Sequence, residues 1–128
     1  MKENSKLIFM VDDDKFILNL LEYVFHGKNG YEVRTFSNGE SCLESLHLNP
    51  DLVVLDYILD HNGSGAMDGL EILRRLLEKN NELPVIVLSS FVDEKIRNTL
   101  IENGARIVLR KDDYFIDRLE KYVVFQLN

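Results

Sequence analysis

The apolar residues of this chain fall into five short runs separated by longer amphipathic segments. Most runs are dense in Val, Ile and Leu and show no clean alternation, whereas YEVRTF is more mixed. Short, uniformly apolar runs are typical of parallel strands that are covered on both faces, and the mixed run fits an edge strand. The predicted strands are Leu7–Val11, Tyr31–Phe36, Leu52–Leu55, Val85–Leu88 and Ile107–Leu109.

The segments between the runs have the periodicity of amphipathic helices. Their apolar positions predict which side of each helix is buried, and Phe16, Ile101 and Tyr122 are among the residues expected to face inward. Residues that can cap a helix precede three segments, namely Asn38, Asp68 and Asp93. The predicted helices are Lys15–Lys28, Gly39–Leu48, Gly69–Lys79, Glu94–Asn103 and Tyr114–Leu127.

The order of strand and helix, repeated five times, predicts an α/β fold. It consists of a five-stranded parallel sheet, doubly wound, with helices on both faces. The 128 residues suit one domain, 1–128, and 45% of them are hydrophobic. In such folds ligands bind outside the carboxyl ends of the strands, so this edge is where we expect the chemistry.

Composition and charge narrow the function classes. A net charge of −7 argues against direct binding of nucleic acid. No apolar run approaches the length of a membrane span or of a signal peptide, so a cytoplasmic location is expected. Cys42, the single cysteine, cannot form an internal disulfide and is predicted to be a small buried residue.

Polar residues collect where the predicted strands end. Because these ends meet at one edge of a parallel sheet, the side chains are expected to lie close together. Crowded carboxylates destabilise one another unless a cation lies among them. Oxygen ligands suit Mg²⁺, so Asp12, Asp13 and Asp56 are predicted to surround this ion, with Asp14 as the cap of the first helix.

A carboxylate beside a divalent cation is also suited to phosphoryl transfer. Asp56 stands alone at the end of its strand and can act as the nucleophile, forming an acyl phosphate. Lys111 follows the fifth strand and supplies a second positive charge. Ser89 ends the fourth strand and supplies a hydrogen-bond donor for a phosphoryl oxygen.

Five motifs occur in order at these strand ends: VDD, VVLD, MDGLEIL, PVIVLSS and GARIVLRK. With them the chain resembles, over essentially its whole length, the receiver domain of bacterial two-component response regulators. The resemblance implies the flavodoxin-like receiver fold, Asp56 as phospho-acceptor, and Ser89 and Lys111 as ligands of the phosphoryl group. It also implies a Mg²⁺ held by Asp12, Asp13, Asp56 and the backbone carbonyl of Ile58.

The resemblance further implies the partners. The phosphodonor would be a sensor histidine kinase or a histidine phosphotransfer protein, and a downstream protein would bind the face formed by helix four, strand five and helix five. A phosphorylation-dependent dimer is compatible with this function. The domain would phosphorylate itself and would not turn over a separate substrate.

The chain departs from the usual pattern of the family in several places. The loop insertion Asp60–Met67 makes the segment after the acceptor about five residues longer than usual. Val108 replaces a frequent aromatic residue, and Asp112 replaces a proline, so the turn into the last helix must be built differently. Ile58 and Phe91 are bulky and apolar at positions that tune dephosphorylation, which predicts a long-lived aspartyl phosphate.

Two other functions remain as alternatives. One is a pseudo-receiver that binds partners without being phosphorylated, and the loop insertion keeps this alternative open. The other is a phosphatase of the haloacid dehalogenase type, which also uses an aspartate nucleophile with Mg²⁺. That class needs a second aspartate two residues after the first, where this chain has Ile58.

Overall fold

The computed structural model describes residues 5–57 and 68–128, and it confirms the predicted α/β fold. All strand pairings are parallel, in the order β2-β1-β3-β4-β5, so the mixed run YEVRTF is an edge strand as predicted. The strands are β1 (Lys6–Val11), β2 (Tyr31–Phe36), β3 (Leu52–Asp56), β4 (Val85–Ser89) and β5 (Ile107–Arg110).

The helices agree with the predicted ones except at some ends. Asn38, Asp68 and Asp93 accept the capping hydrogen bonds expected of them. The first helix ends before its predicted limit, since Gly27 has a left-handed φ of 85° that a helix cannot continue through. The helices are α1 (Lys15–Phe25), α2 (Gly39–Glu44), α3 (Gly69–Lys79), α4 (Glu94–Glu102) and α5 (Phe115–Leu127), with short 3₁₀ turns at Lys28–Gly30 and Leu46–Leu48.

Two apolar clusters cover the two faces of the sheet. Helices α2, α3 and α4 pack on one face, and α1 and α5 pack on the other. Alternate residues of β1 divide between these clusters, for example Phe9 to the first and Met10 to the second, because side chains of a strand point to opposite faces. No helix in the described ranges has the length and apolar character that crossing a bilayer requires.

Three of the predicted inward-facing residues are wrong. Phe16 is 73% exposed, Ile101 44% and Tyr122 37%. In α1 the buried residues include Phe25, and nine residues at about 100° each place Phe16 on the opposite side of the helix. In these helices the apolar pattern is therefore wider than the face that is buried against the sheet.

The topology places a crevice at the carboxyl ends of the central strands. From β1 the chain continues to β2 on one side and afterwards to β3 on the other, so the winding direction changes between β1 and β3. The helices that follow these two strands, α1 and α3, pack on opposite faces of the sheet. The ends of β1 and β3 are therefore the site where such folds bind ligands.

Candidate functional site

Polar residues are buried at the carboxyl edge of the sheet. Among the described residues, the buried polar or charged ones are Asp12, Asp56 and Ser89, which are 2%, 3% and 0% exposed. Asp12 directly follows β1, whereas Asp56 and Ser89 are the last residues of β3 and β4. Burying a carboxylate costs free energy unless it is paired, so their place at a single edge indicates a site rather than ordinary core.

The three predicted acidic ligands lie together. One carboxylate oxygen each from Asp12, Asp13 and Asp56 lies within 4.8 Å of the other two. Burial raises the pKa of Asp56 to about 6, and the negative charge of Asp12 adds to this effect. The charge of Lys111 opposes the rise without cancelling it. With three carboxylates and one lysine in contact with two of them, this cluster carries an excess of negative charge.

Lys111 lies between two of these carboxylates. Its Nζ is 2.6 Å from Asp12 Oδ2 and 3.0 Å from Asp56 Oδ1. Burial by itself would lower the pKa of Lys111, but the hydrogen bond to Asp12 and the charge of Asp56 outweigh burial and raise it. The backbone N–H of Lys111 donates to the carbonyl of Ser89 at 2.8 Å, which joins the ends of β4 and β5.

The turn after β1 holds Asp12 in position. The backbone N–H of Asp14 donates to Asp12 Oδ1 at 2.9 Å, and Asp14 Oδ1 accepts from the N–H of Phe16 at 2.9 Å. Asp14 is therefore the cap of α1, as predicted, and Asp12 points into the site. Asp12 and Asp14 thus serve different purposes, because the chain turns between the end of β1 and the first residue of α1.

Ser89 lies at the predicted edge, but its hydroxyl is engaged within its own loop. Its Oγ donates to the carbonyl of Phe91 at 2.7 Å and accepts from the N–H of Phe91 at 3.3 Å. Serine often closes a turn in this way. The sequence located Ser89 at the site but did not predict this hydrogen bond.

Asp112 builds the turn that leads into α5. Its carboxylate accepts from the N–H of Tyr114 at 2.9 Å and pairs with Arg118 Nη2 at 2.8 Å. The backbone hydrogen bond from Tyr114 and the bond to Arg118 lower the pKa of Asp112. The aspartate thus closes the turn through its side chain, by a mechanism that Asp at a turn commonly provides.

Close packing explains the glycine that begins α3 beside the site. The N–H of Gly69 donates to the carbonyl of Tyr57 at 2.9 Å, and a Cβ at Gly69 would lie 2.2 Å from that oxygen. Glycine is therefore required at position 69, where the backbone passes close to Tyr57.

Ile58, whose carbonyl was predicted to bind Mg²⁺, and the insertion Asp60–Met67 lie outside the described residues. Cys42 is fully buried, as predicted, and burial raises its pKa to about 12.

The donor set fits a hard divalent cation. Every ligand atom offered by Asp12, Asp13 and Asp56 is a carboxylate oxygen, which is what Mg²⁺ and Ca²⁺ prefer, and thiolate and imidazole groups are absent from this cluster. Such an ion would compensate the negative charge of the three carboxylates, two of which share the single positive charge of Lys111. A site with a buried nucleophilic carboxylate, a lysine and room for a cation is chemically equipped to accept a phosphoryl group.

Comparison with known proteins finds relatives for nearly the whole chain. The family model described as the response regulator receiver domain matches residues 8–123. The chain is 33% identical over 111 residues to the alkaline phosphatase synthesis transcriptional regulatory protein PhoP of Bacillus subtilis (strain 168), which is 86% of this chain and 41% of that protein. The chain spans less than half the length of such curated relatives.

Solved structures show the same architecture. The receiver domain of the Francisella response regulator 1452 superimposes with a TM-score of 0.82 at 25% identity, covering 95% of this chain and 96% of that one. The response regulator protein TrrA from Thermotoga maritima, solved in complex with Mg(2+)-BeF, superimposes with a TM-score of 0.77 at 31% identity, covering 94% and 98%. The similarity extends over nearly the whole of each chain.

Proposed function

Because this chain belongs to the response regulator receiver domain family, we propose that it accepts a phosphoryl group on Asp56 in a Mg²⁺-dependent transfer. The observation that carries the proposal is the cluster of three carboxylates within 4.8 Å, two of which contact Lys111. The phosphoryl group then switches a surface that a downstream protein recognises.

The residues of the site have distinct parts in the transfer. A carboxylate oxygen of Asp56 attacks the phosphorus of a phosphohistidine, so that a P–O bond forms as the P–N bond breaks and the imidazole leaves. Since the pKa of Asp56 is about 6, most of the carboxyl groups are ionised at neutral pH and able to attack. Lys111 Nζ lies 3.0 Å from Asp56 Oδ1 and would bind an oxygen of a phosphoryl group attached there.

The carboxylates of Asp12, Asp13 and Asp56 would hold the Mg²⁺, together with the predicted Ile58 carbonyl. The ion, when bound, supplies positive charge opposite the phosphoryl oxygens. The close approach of the three carboxylates supports this assignment, because Lys111 contacts two of them and negative charge remains in excess where the cation would lie. Receiver TrrA, crystallised with Mg(2+)-BeF, supports it by similarity.

The partners follow from the same proposal. The donor is a sensor histidine kinase or a histidine phosphotransfer protein in the cytoplasm. The output face, formed by α4, β5 and α5, binds a downstream protein and can form a phosphorylation-dependent dimer. The domain acts as a switch and does not turn over a separate substrate.

Incubation with acetyl phosphate and MgCl₂, followed by intact-protein mass spectrometry, tests the proposal. The wild-type protein is expected to gain one phosphoryl group, and Asp56→Asn is expected to gain none. Asp14→Asn is the matched control, since it also removes one negative charge beside the site while asparagine caps a helix as well as aspartate does. A wild-type protein that gains no mass in the presence of Mg²⁺ would instead favour the binding-only alternative.

A further inference from the structure

The first half of α4 is tied to β5 by a side chain that no sequence motif indicated. Arg97 Nη1 donates a hydrogen bond to the backbone carbonyl of Val108 at 2.8 Å. Val108 is in β5, an edge strand of the described sheet, and its buried aliphatic side chain offers no polar contact of its own. The link between helix and strand therefore runs through the backbone carbonyl.

A second arginine also binds a backbone carbonyl at the open edge of β5. The carbonyl of Arg110 accepts from Arg118 Nη2 at 3.3 Å. Residues 108 and 110 are two apart, so their carbonyls point to the same side of the strand. Arginines from α4 and α5 thus cover successive carbonyls of the open edge, and Arg97 makes the shorter of the two bonds.

The segment from Ser89 to Arg97 connects this contact with the acidic site. The Ser89 hydroxyl holds the carbonyl of Phe91 at 2.7 Å, and Asp93, two residues later, caps α4 through the N–H of Ile96 at 2.7 Å. Arg97 follows in the first full turn of the helix. One polar contact therefore holds α4 to β5, and another holds the loop that leads into α4 to the end of β4.

The Ser89 hydroxyl can serve only one acceptor. It has a single proton, which it donates either to the Phe91 carbonyl or to another oxygen. Strands β3 and β4 are adjacent, and Asp56 lies opposite Leu88, the residue before Ser89. A phosphoryl group on Asp56 brings charged acceptor oxygens to this edge, and charged acceptors form stronger hydrogen bonds than a carbonyl does.

We infer that Arg97 is the residue through which α4 senses the phosphoryl group: its bond to Val108 holds α4 against β5 in the unphosphorylated protein and is released when Ser89 turns from Phe91 to the phosphoryl group. This inference rests on the proposed function and names the regulation of the same site. A bond present in only one of two states biases the protein toward that state. Removing it must therefore favour phosphorylation, because the coupling between the two is reciprocal.

The test compares Arg97→Met with Lys95→Met. Both variants remove one positive charge from α4 and insert the same side chain, but Lys95 is exposed and its side chain makes no hydrogen bond or ion pair that the described structure contains. The initial rate of phosphoryl gain from acetyl phosphate with Mg²⁺ is expected to rise about three- to tenfold in Arg97→Met, because losing a typical net hydrogen bond from the resting state raises the fraction of molecules in the reactive conformation by that factor. Lys95→Met is expected to match the wild type.

Hydrogen exchange of the α4 amides provides the second measurement. In the wild type, exchange is expected to increase when Mg²⁺ and beryllofluoride, a phosphoryl mimic, are added. In Arg97→Met the amides are expected to exchange rapidly without the mimic. An α4 that the mimic leaves unchanged in the wild type overturns the inference, even if Arg97→Met fails to fold.

The two proposals fail in different ways. If the wild type gains no phosphoryl group from acetyl phosphate, the proposed function itself is wrong. If the wild type is phosphorylated but Arg97→Met reacts at the wild-type rate or more slowly, only the role of Arg97 is wrong. A rate increase of the same size in Lys95→Met would also overturn that role, because it would trace the effect to charge alone.

Discussion

Asp12 and Asp112 make the same local contacts in opposite surroundings. Each follows the end of a strand, accepts a backbone N–H from two residues ahead at 2.9 Å, and pairs with a cation through Oδ2. The cation distances are 2.6 Å for Lys111 and 2.8 Å for Arg118. The side chain of Asp12 is 2% exposed, however, whereas that of Asp112 is 42% exposed.

The difference shows that local bonding does not make a functional site. The Asp112–Arg118 pair is exposed, and solvent weakens the attraction between its charges. The hydrogen bonds of Asp112 organise a turn and lower the pKa of its carboxyl group. Burial removes that screening from Asp12, and the neighbouring Asp56 adds a second charge that the same lysine must balance. The Asp112–Arg118 pair is structural, whereas the Asp12–Lys111 pair belongs to the site for which we propose phosphoryl transfer.

The largest expected effect on stability comes from removing the positive charge of Lys111. In EDTA at pH 7, Lys111→Met should lower the free energy of unfolding by about 3 kcal/mol, since it leaves Asp12 and Asp56 buried without a counter-charge. Arg118→Met should change it far less, because its pair is exposed. Urea unfolding followed by circular dichroism measures both, and equal losses would contradict the comparison.

Magnesium should stabilise the protein through the cluster of Asp12, Asp13 and Asp56 and not through Asp112. Saturating Mg²⁺ is expected to stabilise the folded protein by about 1–3 kcal/mol, because the ion binds only the assembled cluster. Thermal unfolding with and without EDTA measures this. Asp13→Asn should lose most of the stabilisation, and Asp112→Asn should retain it. A Mg²⁺ response that survives Asp13→Asn would place the ion elsewhere.

Asp56→Asn should stabilise the metal-free protein at pH 7 by about 1–2 kcal/mol. The pKa of Asp56 is raised from 3.8 to about 6 in the folded state, so the folded protein binds the proton more tightly than the unfolded chain. The contribution of Asp56 to the free energy of unfolding is therefore fully present below pH 3.8 and is lost as the pH rises through 6. The increase in this free energy caused by Asp56→Asn should grow between these two pH values.

Urea titrations in EDTA between pH 4 and pH 7.5 follow this trend. Asp51→Asn is a suitable control, since Asp51 is bonded to the N–H of Leu7 at the opposite edge of the sheet. A gain for Asp56→Asn that does not vary with pH would show that the effect is one of shape and not of charge.

The smallest expected effect belongs to the exposed carboxylate, and its pH dependence has the opposite sign. The pKa of Asp112 is lowered, so its contribution to stability is present above its ordinary value of 3.8 and is lost as the pH falls below it. Asp112→Ala should therefore lower the melting temperature slightly at pH 7, and the difference should shrink near pH 3. A difference that grows on acidification would contradict the assignment.

Much of the site could be predicted because strand ends are visible in the sequence. Asp12 and Asp56 follow apolar runs of parallel strands, and these runs predict a common edge before any distance is known. The helix caps were equally predictable, since Asp68 and Asp93 cap through contacts only three residues away. Local hydrogen bonds and uniform apolar runs depend little on the rest of the molecule.

Other features could not be read from the sequence. Phe16 fits the apolar face of α1, yet it lies on the side away from the sheet. The acceptor of Arg97 is a backbone carbonyl, which carries no residue identity and leaves no pattern. Ser89 was predicted at the site, but the direction of its hydroxyl depends on where Phe91 lies in three dimensions.

By itself, the sequence determined the order of strands and helices, the edge at which the acidic residues emerge, and the excess of negative charge there. Those properties follow from apolar periodicity and from residue types. Only the tertiary structure decided that Asp12 would be buried beside Asp56 while Asp112 stayed in solvent, and that one lysine would contact both buried carboxylates. Burial and the distance between residues far apart in the chain are set by packing, and they distinguish a turn-forming carboxylate in solvent from one in the buried acidic cluster.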